Sequence, residues 1–455
     1  MLEENENIKF QLTDEIIENV EHLIENNQGK ELQLYLNEFH FADIAEILDE
    51  LSLEDAVYVI KLLDSETTSD ILMELDEDDR EKVLQNLSAK EIAEEVEELD
   101  TDDAADMISE LPEERQEEVI SKIEDEEHKA EIEELLAYDE DTAGGLMAKE
   151  LVKVYETWTV AGCMRRIRGQ AEEVTRVHSI YVVDKEEKLI GRLSLKDLIV
   201  AKNEQRIAEI SNSNVDYVNV HDDVEEVAKV MQKYDLEAIP VVDEAHTLLG
   251  RITIDDIVDV IKEEAEKDYQ LAAGITQDVE ADDSIFELTR ARLPWLFLGL
   301  IGGIGAFLIM EGFQESFKEY AVLFFFTPLI AAMAGNVGVQ SSAIIVQGLA
   351  NDDVKGSINN RLIKEMLLAA LNGIILALFL FLFIWLTKDI NTALAISASL
   401  VIVIIVAGLI GTFVPLFLDK RGIDPAIATG PFITTSNDIF GILIYFWIAK
   451  LILNI

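Results

Sequence analysis

The run Gly430-Pro431-Phe432-Ile433-Thr434-Thr435-Ser436-Asn437-Asp438 puts five consecutive polar side chains, the last a carboxylate, inside an apolar stretch from Ile427 to Leu453. A charge at the centre of a bilayer costs roughly 2.5–3.5 kcal/mol on insertion scales, so an acid there implies a function or a partner. No Lys, Arg or His shares the stretch until Lys450. A permeating cation would supply the counter-charge; the structural alternative is that Asp438 pairs with neighbouring helices. Pro431 is expected to loosen the backbone and free carbonyls. In another apolar stretch Asn336, Gln340 and Gln347 fall at i, i+4 and i+11, one polar stripe on a helix. Gly335 and Gly338 beside Asn336 allow close packing or a local break. Asp438, Asn336 and Thr434 offer only oxygen and amide groups, which favours hard ions over Zn²⁺ or Cu⁺. Mg²⁺ dehydrates reluctantly, and a few carboxylates and carbonyls holding its water shell suit it, though the same chemistry admits Ca²⁺, Mn²⁺ or Na⁺.

The elements that must position these residues follow from hydropathy. Five apolar stretches, Pro294–Met310, Ala321–Leu349, Met366–Leu386, Ala393–Leu418 and Ile427–Leu453, are each about as long as a bilayer-spanning helix or longer. Arg290 and Arg292 precede the first; Lys355, Arg361 and Lys364 follow the second; Lys420 and Arg421 follow the fourth. The alternate loops carry only Lys318 and Lys388, so the positive-inside rule predicts a cytoplasmic N-terminus and an external C-terminus. Met1–Phe10 shows no apolar core of a signal peptide. From Arg290 onward 10 basic residues balance 10 acidic ones, which leaves 26 basic and 80 acidic before it and concentrates the net charge of −54 there. Such a field repels nucleic acid and anionic lipid and attracts cations, although solubility alone is the simpler account of it. The single cysteine, Cys163, rules out an intrachain disulfide framework.

The acidic half contains two repeats. Between Asp43 and Ile123 a twelve-residue period aligns Leu48, Ile60, Leu72, Leu84, Val96, Ile108 and Ile120, with Leu51, Leu63, Leu75, Leu87, Leu99, Leu111 and Ile123 three residues on. That spacing is helical. Ser88 with Glu91 has capping-box form, and Pro112 suits a helix's first turn. Seven such units predict an α-solenoid with an acidic face. The second repeat has a period of 59: Ile180-Tyr-Val-Val-Asp184, Gly191-Arg192 and Asp197 match Ile239-Pro-Val-Val-Asp243, Gly250-Arg251 and Asp256. Each copy reads as strand, turn, strand and helix, and resembles a CBS domain, whose Gly-x-x-Ser/Thr-x-x-Asp signature stands at Gly191…Ser194…Asp197 and Gly250…Thr253…Asp256. Paired CBS domains often bind adenine nucleotides, which makes Ser194 and Asp197 candidates for contacting ATP. The charged, helix-compatible segment from Asp259 to about Arg292 leads into the first span.

Three further motifs, Thr142-Ala-Gly-Gly-Leu-Met147, Gly335-Asn336-x-Gly338-x-Gln340 and Asp424-Pro-Ala…Pro431-x-x-Thr-Thr-x-x-Asp438-x-x-Gly441, complete a resemblance to the MgtE family of magnesium channels and transporters over essentially the whole chain. The resemblance implies a multidomain fold: an all-α solenoid of short helices over 1–138, an α/β tandem CBS pair over 139–204 and 205–262, a connecting plug helix over 263–292, and an α-helical transmembrane domain with five spans over 293–455. It implies a homodimer in the plasma membrane with the pore on the dimer axis. Asp438 of both subunits would face hydrated Mg²⁺, with Asn336 and Thr434 lining the pore and Asp424 near its inner mouth. It also implies cytoplasmic Mg²⁺ sites that close the channel. Asp102 and Asp106 match the sensor pair; Asp235, Asp256, Asp259, Glu264 and Asp268 match their CBS and plug partners. Asp70, in the repeat column of Asp106, is a further candidate, and the family often has another acid where Lys267 stands. Catalytic triads, metal-protease motifs and phosphate loops are not evident, so an enzyme is not expected. The alternatives are transport of another divalent ion (Co²⁺, Mn²⁺) and a nucleotide-regulated, CBS-gated membrane protein.

Overall fold

The computed structural model describes residues 10–171, 174, 176–277, 279, 283–350, 354 and 357–455. Lys355, used for the topology, and the first nine residues lie outside them. The chain divides into two compact units, Met1–Ile261 and Lys262–Ile455.

The described residues of the first unit begin with ten short helices: α1 (Asp14–Glu25), α2 (Gly29–Leu36), α3 (Phe41–Asp49), α4 (Leu53–Ile60), α5 (Ser65–Glu74), α6 (Glu77–Leu84), α7 (Ala89–Val96), α8 (Thr101–Ser109), α9 (Glu113–Ile120) and α10 (Glu126–Leu135). The twelve-residue period is the length of one helix plus its turn. His40, Ser52, Asp64, Asp76, Ser88, Asp100 and Pro112 recur at that period, and each is the N-cap of its helix. Side-chain oxygens at such positions accept the orphan first-turn N–H groups, which starts each helix at a fixed place. Ser88 and Glu91 form the expected capping box. Pro112 is itself the N-cap, one position ahead of the first turn, where its missing N–H costs no helical bond. From Leu48 to Ile108 the first apolar column is buried, and each helix packs on the second one along, α3 on α5, α5 on α7 and α7 on α9. Buried Arg80 donates from Nε to Glu110 at 2.9 Å and from Nη1 to the Met73 carbonyl at 3.2 Å, tying α6 to the end of α8.

Two three-stranded sheets follow. The first is β1 (Val152–Tyr155), β2 (Ile180–Val183) and β3 (Leu189–Leu193), with α11 (Val160–Gln170), α12 (Leu195–Val200) and α13 (Ile207–Ile210). The second is β4 (Val218–Asn219), β5 (Ala238–Val242) and β6 (Leu248–Thr253), with α14 (Val224–Tyr234) and α15 (Ile254–Ala273). In each, the second pair is antiparallel, as the strand, turn, strand and helix reading requires, and the first pair, which adds a strand from ahead of the repeat, is parallel. Tyr181, Val183 and Leu189 pack with Val242 and Leu248, so the two copies share a core. A larger core runs from the solenoid helices into the second copy through Val218, Val227, Met231 and Ile257.

Among its described residues the second unit carries five helices long and apolar enough to cross a membrane: α16 (Ile285–Phe313), α17 (Val322–Ala350), α18 (Ile358–Thr387), α19 (Ile390–Asp419) and, after a 3₁₀ turn at Pro425–Ala428, α20 (Gly430–Leu453). Central α19 packs against α17, α18 and α20. Two expectations change here. The segment from Asp259 to Arg292 is not one helix. Helix α15 ends at Ala273, Gly274 adopts φ 84°, and Arg290 and Arg292 already belong to α16, with some intervening residues outside the described set. Pro431 breaks no helix either. It sits in the first turn of α20, and the interruption precedes it, between the 3₁₀ turn and Gly430 at φ 41°.

Candidate cation sites

In the second unit Asn336 and Gln340 of α17 and Thr434 and Asp438 of α20 converge on a cavity of about 440 Å³ completed by Ala331, Ala332, Gly335 and Val339. Gln347, the far end of the predicted stripe, is not among its walls. Asp438 makes no ion pair among the described residues. Glycine sets how closely α17 and α20 approach. A Cβ at Gly338 would fall on the Asn437 amide and 2.7 Å from Ile433, and one at Gly411 of α19 would strike the Gly338 carbonyl. Helix α17 stays continuous, so its glycines serve close packing and not a break. Asn437, which the sequence marks only as part of a polar run, is 1% exposed and lies against Gly338.

The carbonyls freed ahead of α20 are taken up locally. Ser342 donates to the Ala428 carbonyl at 2.8 Å, and Thr434 Oγ1 donates to the Gly430 carbonyl at 2.9 Å. Asp424 caps the 3₁₀ turn by accepting from the Ala426 N–H at 2.7 Å; it is exposed and not a wall of the cavity. The elbow at Gly430-Pro431 also receives the end of α15. A side chain at Gly430 would strike the Ala272 carbonyl oxygen, and one at Gly274 would strike Pro431. Within this unit the connecting helix therefore ends against the start of the helix that carries Asp438.

The first unit gathers a second set of acids. Asp102 of α8 and Asp256 of α15 lie close enough to raise each other's proton affinity, together with Asp100 and Asp103. Burial, then Glu150, pushes Asp100 up to about 6. Burial, then Asp256, pushes Asp103 up to about 7, and Asp102 goes well above the usual carboxylate range through burial and then Asp103. Asp256 also accepts from Thr253 N–H at 2.9 Å and Thr253 Oγ1 at 2.8 Å, so the CBS signature acts here as a helix cap. The first copy shares the hydroxyl–carboxylate bond, Ser194 Oγ donating to Asp197 at 2.6 Å, but there Ser194 Oγ is itself the cap and accepts from the Asp197 N–H at 3.0 Å. Asp100 is diverted from capping. It pairs with buried Arg251 at 3.5 Å, while Glu150 accepts from Thr101 N–H at 3.2 Å and Thr101 Oγ1 at 2.9 Å in its place. Asp100, Asp102 and Glu150 place one carboxylate oxygen each within 4.8 Å of one another.

Asp106 lies a turn further along α8, exposed, and lines a cavity of about 180 Å³ with Ser109, Gln116, Tyr138 and Glu140. Asp70 and Asp259 flank Glu74, whose carboxyl is raised first by burial and then in part by both of them. Asp235 is the left-handed C-cap of α14 (φ 51°), and no hydrogen bond or ion pair links it to either group among the described residues. Glu264 and Asp268 lie on the part of α15 that belongs to the second unit, where Glu264 pairs with Lys267 at 3.0 Å. Asp100, Asp103 and Glu150 escaped the sequence reading. The N-cap column, extended to position 100, would have flagged the first.

Five membrane-length apolar helices with an acid in a shared cavity, in one chain with paired CBS domains and an acidic helical array, are the architecture of a multi-pass cation transporter. Family models agree: residues 327–448 match "Divalent cation transporter", 39–141 match "MgtE intracellular N domain", and 143–204 and 207–263 match CBS domains. The chain is 38% identical to the magnesium transporter MgtE of Enterococcus faecalis, over 70% of this chain and 71% of that one. It is 36% identical to the protein of that name from Thermus thermophilus, over 70% and 72%. A crystal structure of the cytosolic domain of the Mg²⁺ channel MgtE in complex with ATP aligns at 37% identity and TM-score 0.51, covering 54% of this chain and 99% of that one. The chain belongs to the MgtE family of magnesium transporters.

Proposed function

We propose that the chain is a Mg²⁺-selective channel or transporter of the plasma membrane, passing hydrated Mg²⁺ through a homodimeric pore that cytoplasmic Mg²⁺ closes. The observation that carries this is the cavity where Asp438 meets Asn336, Gln340 and Thr434 with no basic partner. An uncompensated carboxylate with amide and hydroxyl neighbours attracts a divalent cation and leaves its water shell in place. Dimerisation is supported by apolar side chains at equivalent places in the two CBS copies: Ile199 on α12 is 66% exposed and Val258, 59 residues later on α15, is 56% exposed. A second copy of the chain would cover both.

Closure rests on the acid clusters. A like-charge pair at 4 Å costs about 4 kcal/mol at an effective dielectric constant of 20 before screening. Several such pairs among Asp102, Asp103, Asp256 and Glu150 favour separation of α8 from α15 when divalent ions are scarce. Mg²⁺ bridging Asp102 and Asp106 to Asp235, Asp256 and Asp259, with Glu264 and Asp268 further along and Asp70 beside Glu74, reverses that sign. The end of α15 against the Gly430-Pro431 elbow gives the change a route to the helix of Asp438. Moving such an equilibrium from 1:99 to 99:1 takes about 5.5 kcal/mol, which several weak sites supply jointly. ATP, bound by the related cytosolic domain, is carried to this CBS pair, with Ser194 and Asp197 as contacts.

Reconstitution into liposomes tests the transport reading: Mg²⁺ should pass, Cl⁻ should not, and Co²⁺, Mn²⁺ and Ca²⁺ set the selectivity. Cl⁻ flux without Mg²⁺ flux would overturn it. Topology is read from single cysteines at Ser316 and Ser357 in a chain lacking Cys163. An impermeant thiol reagent on whole cells should label the first only. For gating, Mg²⁺ should protect residues 259–292 from protease at an ionic strength matched with Na⁺, and removal of residues 1–130 should leave a channel that closes less readily. Indifference to Mg²⁺ in both assays defeats the sensor while leaving the pore.

A further inference from the structure

His128 and Glu131, three apart on one face of α10, meet Glu150 of the segment before β1: one ring nitrogen and one oxygen of each carboxylate lie within 4.8 Å of one another. This trio differs from the acid clusters above in containing an imidazole. Two hydrogen bonds from outside the trio hold it ready. His128 Nε2 lies 3.1 Å from the Val96 carbonyl, which only accepts, so Nε2 carries the proton and the neutral ring keeps its lone pair on Nδ1. Glu150 is fixed by the Thr101 N–H and hydroxyl. Metal-binding histidines and carboxylates are typically oriented by such outer partners. Nearby Lys149 is already engaged, its ammonium 2.7 Å from Glu134.

We propose that His128, Glu131 and Glu150 form a binding site for a borderline divalent transition metal ion such as Co²⁺ or Zn²⁺. Imidazole with two carboxylates suits these ions, whereas Mg²⁺ is served by oxygen and water. Glu150 belongs also to the trio with Asp100 and Asp102, so a metal held by His128 shares a ligand with the acid cluster facing Asp256. The site thereby gives the regulatory half a response to a metal other than the one transported.

The test is Co²⁺ titration of the metal-stripped, full-length protein in excess Mg²⁺, followed by visible absorption. One Mg²⁺-resistant Co²⁺ per chain, with the spectrum of a nitrogen-ligated ion, is expected. His128→Gln should abolish the nitrogen signature and weaken binding at least 10–100-fold, the range that loss of an outer partner alone produces. Glu131→Gln should weaken it similarly and keep the signature, which covers the case in which His128→Gln fails to fold. Glu133→Gln, exposed on α10 and outside the trio, should leave the band intact. Displacement of all Co²⁺ by Mg²⁺, or Co²⁺ affinity unchanged in Glu131→Gln, overturns the proposal.

Discussion

In the membrane unit one carboxylate, Asp438, shares a cavity with an asparagine, a glutamine and a threonine, and among the described residues no ion pair offsets it. In the first unit Asp100, Asp102, Asp103, Asp256 and Glu150 crowd together, and Arg251 offsets only part of their charge. A lone acid in apolar surroundings keeps its full attraction for a cation. A crowd of acids responds to cations as a spring, because its members resist one another until something bridges them. On the proposed function the contrast separates a path from a sensor, and substitution can break it in graded ways.

The largest effect belongs to Asp438. Asp438→Ala should fold and dimerise, yet its Mg²⁺ flux in liposomes should fall to the protein-free baseline, since nothing else in the cavity carries charge. Asn336→Ala should reduce flux only partly, because it removes a dipole. Undiminished uptake by a well-folded Asp438→Ala protein would return that residue to a structural role.

Next comes an ion pair in the solenoid that is neither path nor sensor. Arg80 is 6% exposed and bound to Glu110. Arg80→Met strands a partly buried carboxylate and should cost at most about 3–5 kcal/mol, seen as a lowered melting temperature of the solenoid. Adding Glu110→Leu should restore most of that loss, since a packed apolar pair replaces the buried charges.

A buried acid without a partner should behave in the opposite way. Glu95 is 8% exposed, its Oε2 has no hydrogen bond, and burial, then Glu94, Glu98, Asp64 and Glu91, pushes its carboxyl up to about 8. The folded chain thus holds a proton there that the unfolded chain releases near the ordinary glutamate value. Stability from this group is full at acid pH and is lost as pH rises toward 8 and beyond. Glu95→Gln should therefore stabilise the solenoid at pH 9, by at most on the order of a few kcal/mol, and change little at pH 5. Equal melting shifts at both pH values would mean that the carboxyl is not desolvated.

What the sequence disclosed follows the range of the forces involved. The solenoid and the CBS copies were legible because their periods of 12 and 59 repeat a local requirement, a cap followed by an apolar column or a strand pair followed by a helix. The spans were legible because about twenty apolar residues have few other uses. Asp438 and Asn336 were found by being polar where little else is, and the structure brings them to one cavity. Pairings between distant segments were not legible. Asp100 meets Arg251, and Thr101 meets Glu150, only after the solenoid closes on the CBS pair. The elbow at Gly430 was misplaced onto Pro431 because proline announces itself in a sequence, whereas the need for a glycine at 430 comes from the Ala272 carbonyl of another helix, which a side chain there would strike.

The smallest and sharpest effect compares Asp197 with Asp256, which occupy the same position of the two CBS repeats. Each carboxylate accepts from the residue that precedes its helix, from the Ser194 hydroxyl in one copy and from the Thr253 N–H and hydroxyl in the other. Loss of such a hydrogen bond costs about 0.5–1.5 kcal/mol. Asp197 is exposed, so Asp197→Ala should destabilise the chain by no more than that, seen as a lowered melting temperature, and leave stabilisation by Mg²⁺ unchanged. Asp256 lies beside Asp102 and Asp103, so Asp256→Ala loses its bonds to Thr253 but relieves repulsion. In the absence of divalent ions its net cost should be smaller than that of Asp197→Ala, or reversed in sign. Its gain on adding Mg²⁺ should shrink as well, since ligand stabilisation grows with the logarithm of saturation and a site has lost a ligand. Melting curves of the two full-length variants, with Mg²⁺ and with Na⁺ at matched ionic strength, decide between the readings. If both variants keep the same Mg²⁺ response, Asp256 serves only to bond Thr253 and the crowd of acids senses nothing through it.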